Sequence, residues 1–308
     1  MPFDHQRKIA SATGATLNLY VRSAAVEPRG VIQISHGLAE HAARYARFAE
    51  FLSHRGFASF AHDHRGHGFT TAPDAPRGVF GSGDGGAKVL SDMAEVNRLI
   101  AAEHPRLPVI VFGHSMGGLI AMNFLGRFPG SAHAAAIWNA NFSTGPAGRL
   151  AQTLLFWERL RLGSDMPSRI LPKLTFEAWG KAVPDRRTGF DWLSHDEQEV
   201  DKYVADPLCG WDASVSMWRD VFAFAFAGSD RMRVIRRDLP FNLMGGADDP
   251  ATRGGKAVED LARWLSAMRF SNLKTMIYPN TRHESLNELN RHMIMADFTD
   301  WAVSVTGK

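Results

Sequence analysis

The sequence predicts an α/β protein, a mostly parallel central sheet flanked by helices and interrupted by one helical insertion. Three observations carry this. Short apolar runs alternate with amphipathic stretches through the first half of the 308 residues. The alternation stops between about Gly145 and Arg237, where Trp, Met, Leu and Arg are frequent and Pro167, Pro172, Pro184 and Pro207 interrupt helical patterns. It returns at Pro240 and continues to the end. Alternating strand and helix patterns build βαβ units, and a parallel sheet needs helices on its faces.

Each element has a local reason. Thr16–Val21 reads as an opening strand, and Gly30–Ser35 carries a β-branched centre. Ala42–His54 is helical, with Tyr45, Phe48, Ala49 and Leu52 on one stripe and Gly56 as the stop. Phe57–Ala61 is a short strand. Lys88–Glu103 is a helix with Val89, Met93, Val96 and Ile100 on one face, ended by Pro105. Pro108–Phe112 is an apolar strand, Gly117–Phe128 a helix and Ala134–Trp138 a further strand. After the insertion come strands at Pro240–Met244 and Leu273–Tyr278 and helices at Lys256–Met268 and from about Arg291 to Val305. The expected division is a core from 1–144 and 238–308, with a helical cap at 145–237.

Composition removes several classes. Hydrophobic residues make up 45% and charged residues 22%, an ordinary globular balance. Lys+Arg is 35 against 32 for Asp+Glu, a formal charge of +3, with no basic tract suited to nucleic acid. Arg231-Met-Arg233 and Arg236-Arg237 are the densest basic spots and read as a solvated face. The lone cysteine, Cys209, permits no intrachain disulfide and reads as a small buried hydrophobe. The N-terminus has no apolar core or cleavage pattern, and no run of about 18 apolar residues appears. A cytoplasmic protein is expected, with peripheral contact at membranes through the cap.

The chemistry concentrates around Gly113-His-Ser-Met-Gly117, a G-x-S-x-G pattern between an apolar strand and a helix. A sharp strand-to-helix turn would lift the Ser115 hydroxyl above the sheet. Larger side chains at Gly113 or Gly117 would collide with neighbouring strand and helix, and the helix start favours an oxyanion. Serine needs a base. Of 13 histidines, His283 lies on the loop after the last strand, whereas His292 falls in a helical pattern. The orienting acid should follow the penultimate strand, where Asp248 and Asp249 both qualify. Asp249 is preferred because Pro250 fixes its backbone; Asp248 would cap the next turn. Backbone N–H groups of Met116, directly after the serine, and Leu38, after the turn at Gly37, would hold the oxyanion.

Other signals are weaker. His62, His64 and His67 lack a partner carboxylate pattern and read as a turn network rather than a metal site. Gly81-Ser-Gly-Asp-Gly-Gly86 lacks the strand and Lys-Ser/Thr of a phosphate loop. Phe222, Phe224 and Phe226 read as cap packing or as a wall for an acyl chain, and Leu155, Phe156 and Trp157 as a lid surface able to touch a membrane. No metal or cofactor is expected.

These residues resemble the α/β-hydrolase superfamily, and within it the monoacylglycerol lipase and lysophospholipase group with its serine aminopeptidase S33-type domain. The resemblance rests on His36-Gly-Leu-Ala-Glu-His41 with Arg44-Tyr45, Ala61-His-Asp-His-Arg-Gly-His-Gly68 and Gly113-His-Ser-Met-Gly-Gly118. Asp249-Pro250, Arg282-His-Glu284 and Leu286-Asn-Glu288 continue it, as do Val200-Asp-Lys-Tyr203 and Asp206-Pro-Leu-Cys209 in the insertion. Gly145–Thr188 departs from the group's pattern. The resemblance implies Ser115, Asp249 and His283 as triad, Leu38 and Met116 as oxyanion donors, and a single-chain lipid ester as substrate. Alternatives are a carboxylesterase or thioesterase on other small acyl substrates, an acyltransferase, or a non-catalytic hydrolase-fold binding module.

Overall fold

The computed structural model describes residues 3–142, 145–226 and 232–307, apart from the side chain of residue 147. Arg231 and parts of both insertion boundaries lie outside the described residues. Eight strands form one sheet: β1 (His5–Ala10), β2 (Thr16–Arg22), β3 (Gly30–Ser35), β4 (Phe57–His62), β5 (Val109–His114), β6 (Ala134–Trp138), β7 (Phe241–Gly246) and β8 (Leu273–Tyr278). Their spatial order is β1-β2-β4-β3-β5-β6-β7-β8. β2 runs antiparallel to both β1 and β4, and every other neighbouring pair is parallel. This is the α/β-hydrolase fold.

The sequence reading missed β1, so its opening strand is in fact the second. His-Gln-Arg-Lys-Ile-Ala has no apolar alternation because β1 is a largely exposed edge held through its backbone to β2. The inner strands read clearly because both their faces are covered. Along β5, Ile110 and Phe112 pack with α1 (Ala46–Ser53) and α10 (Arg291–Thr306), while Val111 packs with α2 (Gly85–Glu103), α3 (Met116–Arg127) and α9 (Lys256–Ala267). Two expected helices differ at their starts. Ala42–Tyr45 is a 3-10 turn before α1, and α2 begins at Gly85 because the Asp84 carboxylate accepts from Ala87 N–H, absorbing the end of the glycine-rich stretch.

Between β6 and β7 lie α4 (Gly145–Leu162), α5 (Leu171–Leu174), α6 (Phe176–Ala182), α7 (Glu197–Ala205) and α8 (Val215–Ala225). α8 carries Phe222 and Phe224. Leu155 is buried against the core, whereas its neighbours Phe156 and Trp157 are 52% and 58% exposed. The expected lid surface therefore lacks Leu155. Arg237 also departs from the solvated-face reading: it is half-buried, donates to Met232 O and lies over the Phe270 ring. No helix among the described residues is long and apolar enough to cross a membrane.

Candidate active site

The turn from β5 into α3 holds Ser115 at φ 54°, ψ −121°, a sparsely populated conformation of the kind that costs about 1–3 kcal/mol. Ser115 N–H donates to Trp138 O on β6, and the Ser115 carbonyl accepts from Gly118 and Leu119. A Cβ on Gly113 would lie 2.3 Å from Gly117 O, and one on Gly117 only 2.0 Å from Ser35 O. Both contacts are with backbone, so neither neighbour can swing aside. The glycines are there for close approach, as the sequence suggests.

Two loops converge on this turn. His283, after β8, accepts the Ser115 hydroxyl at Nε2 over 2.9 Å and donates from Nδ1 to Asp249 Oδ2 over 2.9 Å. A carboxylate at Nδ1 fixes the proton there and leaves Nε2 as acceptor. Asp249, after β7, is fully buried yet well satisfied: Ala251 N–H, Thr252 Oγ1 and Asn139 Nδ2 also donate to it. Burial opposes its charge, but attraction and hydrogen bonding from His283, with the bonds from Asn139 and Thr252, lower its pKa below the ordinary value.

Asp248 points elsewhere. Its side chain is 46% exposed and faces His195 at 3.6 Å. The turn-capping role expected of Asp248 also belongs to Asp249, whose carboxylate caps the 3-10 turn Pro250–Thr252. His292 lies in α10. Leu38 and Met116 both line the cavity above Ser115, and among the described residues neither N–H has a protein acceptor. In the Leu38 turn the left-handed residue is Ala39 (φ 55°), not Gly37. Gly37 instead leaves room for Glu40, whose Oε1 would sit 2.7 Å from an added Cβ.

The cavity has a volume of about 420 Å³, within the usual range of small-molecule sites. Its floor carries Ser115 and His283; its walls include Leu171, Phe176, Trp179, Trp218, Val221 and Phe222 from the helices between β6 and β7. Trp192 lies beside His283 with ring centroids 5.0 Å apart and the planes tilted by 49°. Such a lining suits an apolar chain with a reacting polar end.

In the sequence Glu40, Arg44, His114 and Glu284 stand within motifs and carry no role of their own. They form a buried network at the polar edge of the cavity, which Glu40, His114 and Glu284 line. Arg44 makes a bidentate pair with Glu284 and a further bond to Glu40 Oε2. Their separation, 240 positions between Arg44 and Glu284, leaves no local signal.

The histidines His62, His64 and His67 are buried, with His64 Nε2 bonded to Ser35 Oγ and both His62 ring nitrogens lacking a protein partner. Another group, His41, Asp206 and Cys209, has ligand atoms within 4.8 Å of one another. His41 Nε2 is already bonded to Asp206 at 2.8 Å, and burial raises the pKa of the Cys209 thiol. These features make it a hydrogen-bonded contact between the segment after β3 and the insertion.

The serine aminopeptidase S33 family model matches residues 26–290. The chain belongs to this family. Among curated relatives, the monoacylglycerol lipase of Mycolicibacterium smegmatis is 27% identical, over 97% of this chain and 97% of its own. The monoglyceride lipase of Saccharomyces cerevisiae is 31% identical, over 85% and 80%. Among solved structures, a thermostable carboxyl esterase from Bacillus coagulans, in complex with glycerol, superposes with a TM-score of 0.86 at 20% identity, covering 98% of each chain. At that identity the likeness speaks for the S33 chain's fold alone.

Proposed function

We propose that this S33-family chain is a carboxylic ester hydrolase that cleaves single-chain lipid esters, such as monoacylglycerols or lysophospholipids, through an acyl-enzyme. The observation that carries this is the unbroken relay Asp249–His283–Ser115, in 2.9 Å steps, at the floor of an apolar cavity. The relatives named monoacylglycerol and monoglyceride lipase support the substrate class. Residues 145–237 act as the cap that supplies the cavity walls.

In this reading Ser115 Oγ attacks the ester carbonyl and its proton passes to His283 Nε2. The Leu38 and Met116 N–H groups hold the tetrahedral oxyanion. Collapse expels the alcohol, which takes the proton from His283, and leaves the acyl group on Ser115. Water then attacks, with His283 again as base, and the carboxylic acid leaves. Asp249 stays ionised and stabilises the imidazolium.

Contact with a lipid surface runs through α4. Leu150, Phe156, Trp157 and Leu160 are all more than half exposed there, interleaved with Arg149, Arg159 and Arg161. The decisive experiment is an acyl-length series of p-nitrophenyl esters from two to sixteen carbons, followed by monoacylglycerol and lysophospholipid. A preference for medium or long chains is expected. Equal kcat/KM across the series sinks the lipid claim and leaves a general carboxylesterase. Transfer of the acyl group to added alcohol in place of hydrolysis identifies an acyltransferase.

A further inference from the structure

We propose that Glu40 and His114 form the positioning unit of this site, one fixing the oxyanion turn and the other fixing the catalytic histidine. The proposal rests on the ester-hydrolase reading above.

The geometry is specific. Glu40 Oε1 accepts the Gly37 N–H at 2.6 Å and the Tyr45 hydroxyl at 2.9 Å, while Oε2 accepts Arg44. The Gly37 peptide directly precedes Leu38, so its anchoring sets where the Leu38 N–H points. Behind it, His36 Nδ1–H donates to Gly37 O and His36 Nε2 accepts from His64 N–H, closing the turn from the other side. His114 is the residue before the nucleophile. Its Nδ1 faces Glu40 Oε1 at 3.5 Å, and its Nε2 donates to the backbone carbonyl of His283 at 2.9 Å. Glu40 thus reaches the oxyanion turn directly and the base through His114.

Charge supports the same assignment. The side chains of Glu40, His114, Arg44 and Glu284 are only 5%, 9%, 12% and 6% exposed. Burial disfavours the imidazolium form of His114, but hydrogen bonding and attraction to Glu40, aided by Glu284 and the His283 carbonyl, raise its pKa. Burial also opposes the Glu40 charge, yet His114, Arg44 and His36 hold its carboxyl well below the usual range. The groups facing His114 are therefore Glu40, with Arg44, Tyr45 and His36 around it, and the loop residues Glu284 and His283, whose ring centroid is 5.0 Å away. With Nε2–H donating to the His283 carbonyl, a proton on Nδ1 makes the 3.5 Å approach to Glu40 Oε1 favourable and puts positive charge beside the base.

The test compares Glu40→Gln, His114→Gln and His114→Leu with Ser115→Ala by kcat, KM and the pH profile of kcat/KM on a medium-chain p-nitrophenyl ester. Near-ultraviolet circular dichroism reports folding. Glu40→Gln is expected to lower kcat by about 10²-fold with little change in KM, the scale of a misplaced reacting group. His114→Leu is expected to lower kcat at least about tenfold, and His114→Gln to recover most of it, because the Gln amide can still donate to the His283 carbonyl. In His114→Gln the acid limb should move to higher pH, since the ionisable imidazole between Glu40 and the base is lost and only Arg44 still offsets the Glu40 charge. The His114 pair keeps the proposal falsifiable if Glu40→Gln does not fold. Activity within twofold of wild type in His114→Leu, or equal losses in both His114 variants with an unmoved acid limb, overturns it. Turnover surviving in Ser115→Ala would instead overturn the hydrolase reading itself.

Discussion

The ends of the central strands and the helices between β6 and β7 contribute to one cavity by opposite means. Around Ser115 and His283, at the ends of the central strands, polar groups are buried and matched: Asp249 is fully inaccessible with four donors, and Arg44 lies between two carboxylates. In the inserted helices the cavity lining is largely aromatic and aliphatic, and α4 leaves Leu150, Phe156, Trp157 and Leu160 exposed. A buried polar group left unpaired is expensive, so the strand ends have one workable arrangement. Apolar walls tolerate substitution if volume is kept. Under the proposed function, the contrast gives bond-breaking to the strand ends and choice of substrate to the insertion.

The sharpest way to break this contrast is at Asp249. Asp249→Asn removes the charge and the tautomer control over His283, and kcat is expected to fall by about 10⁴-fold with the fold retained. A loss of less than tenfold in steady-state kinetics would mean that the strand-end network is structural only. Next is Gly117→Ala, whose Cβ meets Ser35 O at 2.0 Å. Overpacking against backbone should cost about 3 kcal/mol or more in urea unfolding and abolish turnover. An unchanged midpoint would show that the turn can relax.

The buried histidines sharpen the comparison through pH. His62 and His67 have pKa values lowered from 6.5 to about 4, chiefly by burial. The unfolded chain takes up protons that the folded protein refuses. Their contribution is intact above about pH 6.5 and is lost as pH falls toward 4, on the order of 3 kcal/mol for each ring. His62→Leu removes a ring whose nitrogens have no protein partner, so its thermal midpoint should fall less than that of wild type between pH 7 and 5. A parallel decline in both proteins contradicts this. The smallest effect belongs to the insertion: Trp157→Ala should shift stability by no more than about 0.5 kcal/mol while raising KM for long-chain substrate on vesicles but not for a dissolved short ester. Equal changes on both substrates would remove the surface-contact role.

The same contrast explains what the sequence discloses. Ser115, Asp249 and His283 are legible because each follows a recognisable apolar strand, and glycines mark the turn that strain requires. β3, β6 and β8 are legible to the residue: β6 is an unbroken buried apolar run, β3 has a buried β-branched centre, and β8, partly exposed and carrying Lys274 and Thr275, is closed by Pro279. β1 is not, because an exposed edge strand needs no apolar side chains. Glu40 and Glu284 stay hidden because their roles depend on contacts between loops far apart in the chain. In α4 the text offers Leu155, Phe156 and Trp157 as equals, and only packing against the core separates the first from the other two. The sequence marks Gly37 as the turn residue, whereas Ala39 takes the left-handed conformation and Gly37 makes space for a carboxylate.

The most direct measurement is peptide-level mass spectrometry of the protein treated with a fluorophosphonate probe at neutral pH, beside Ser115→Ala and His283→Ala. A nucleophile activated by His283 and Asp249 predicts one adduct, on Ser115, absent from Ser115→Ala and formed far more slowly in His283→Ala. No adduct, an adduct on another residue, or equal labelling rates with and without the histidine would contradict it.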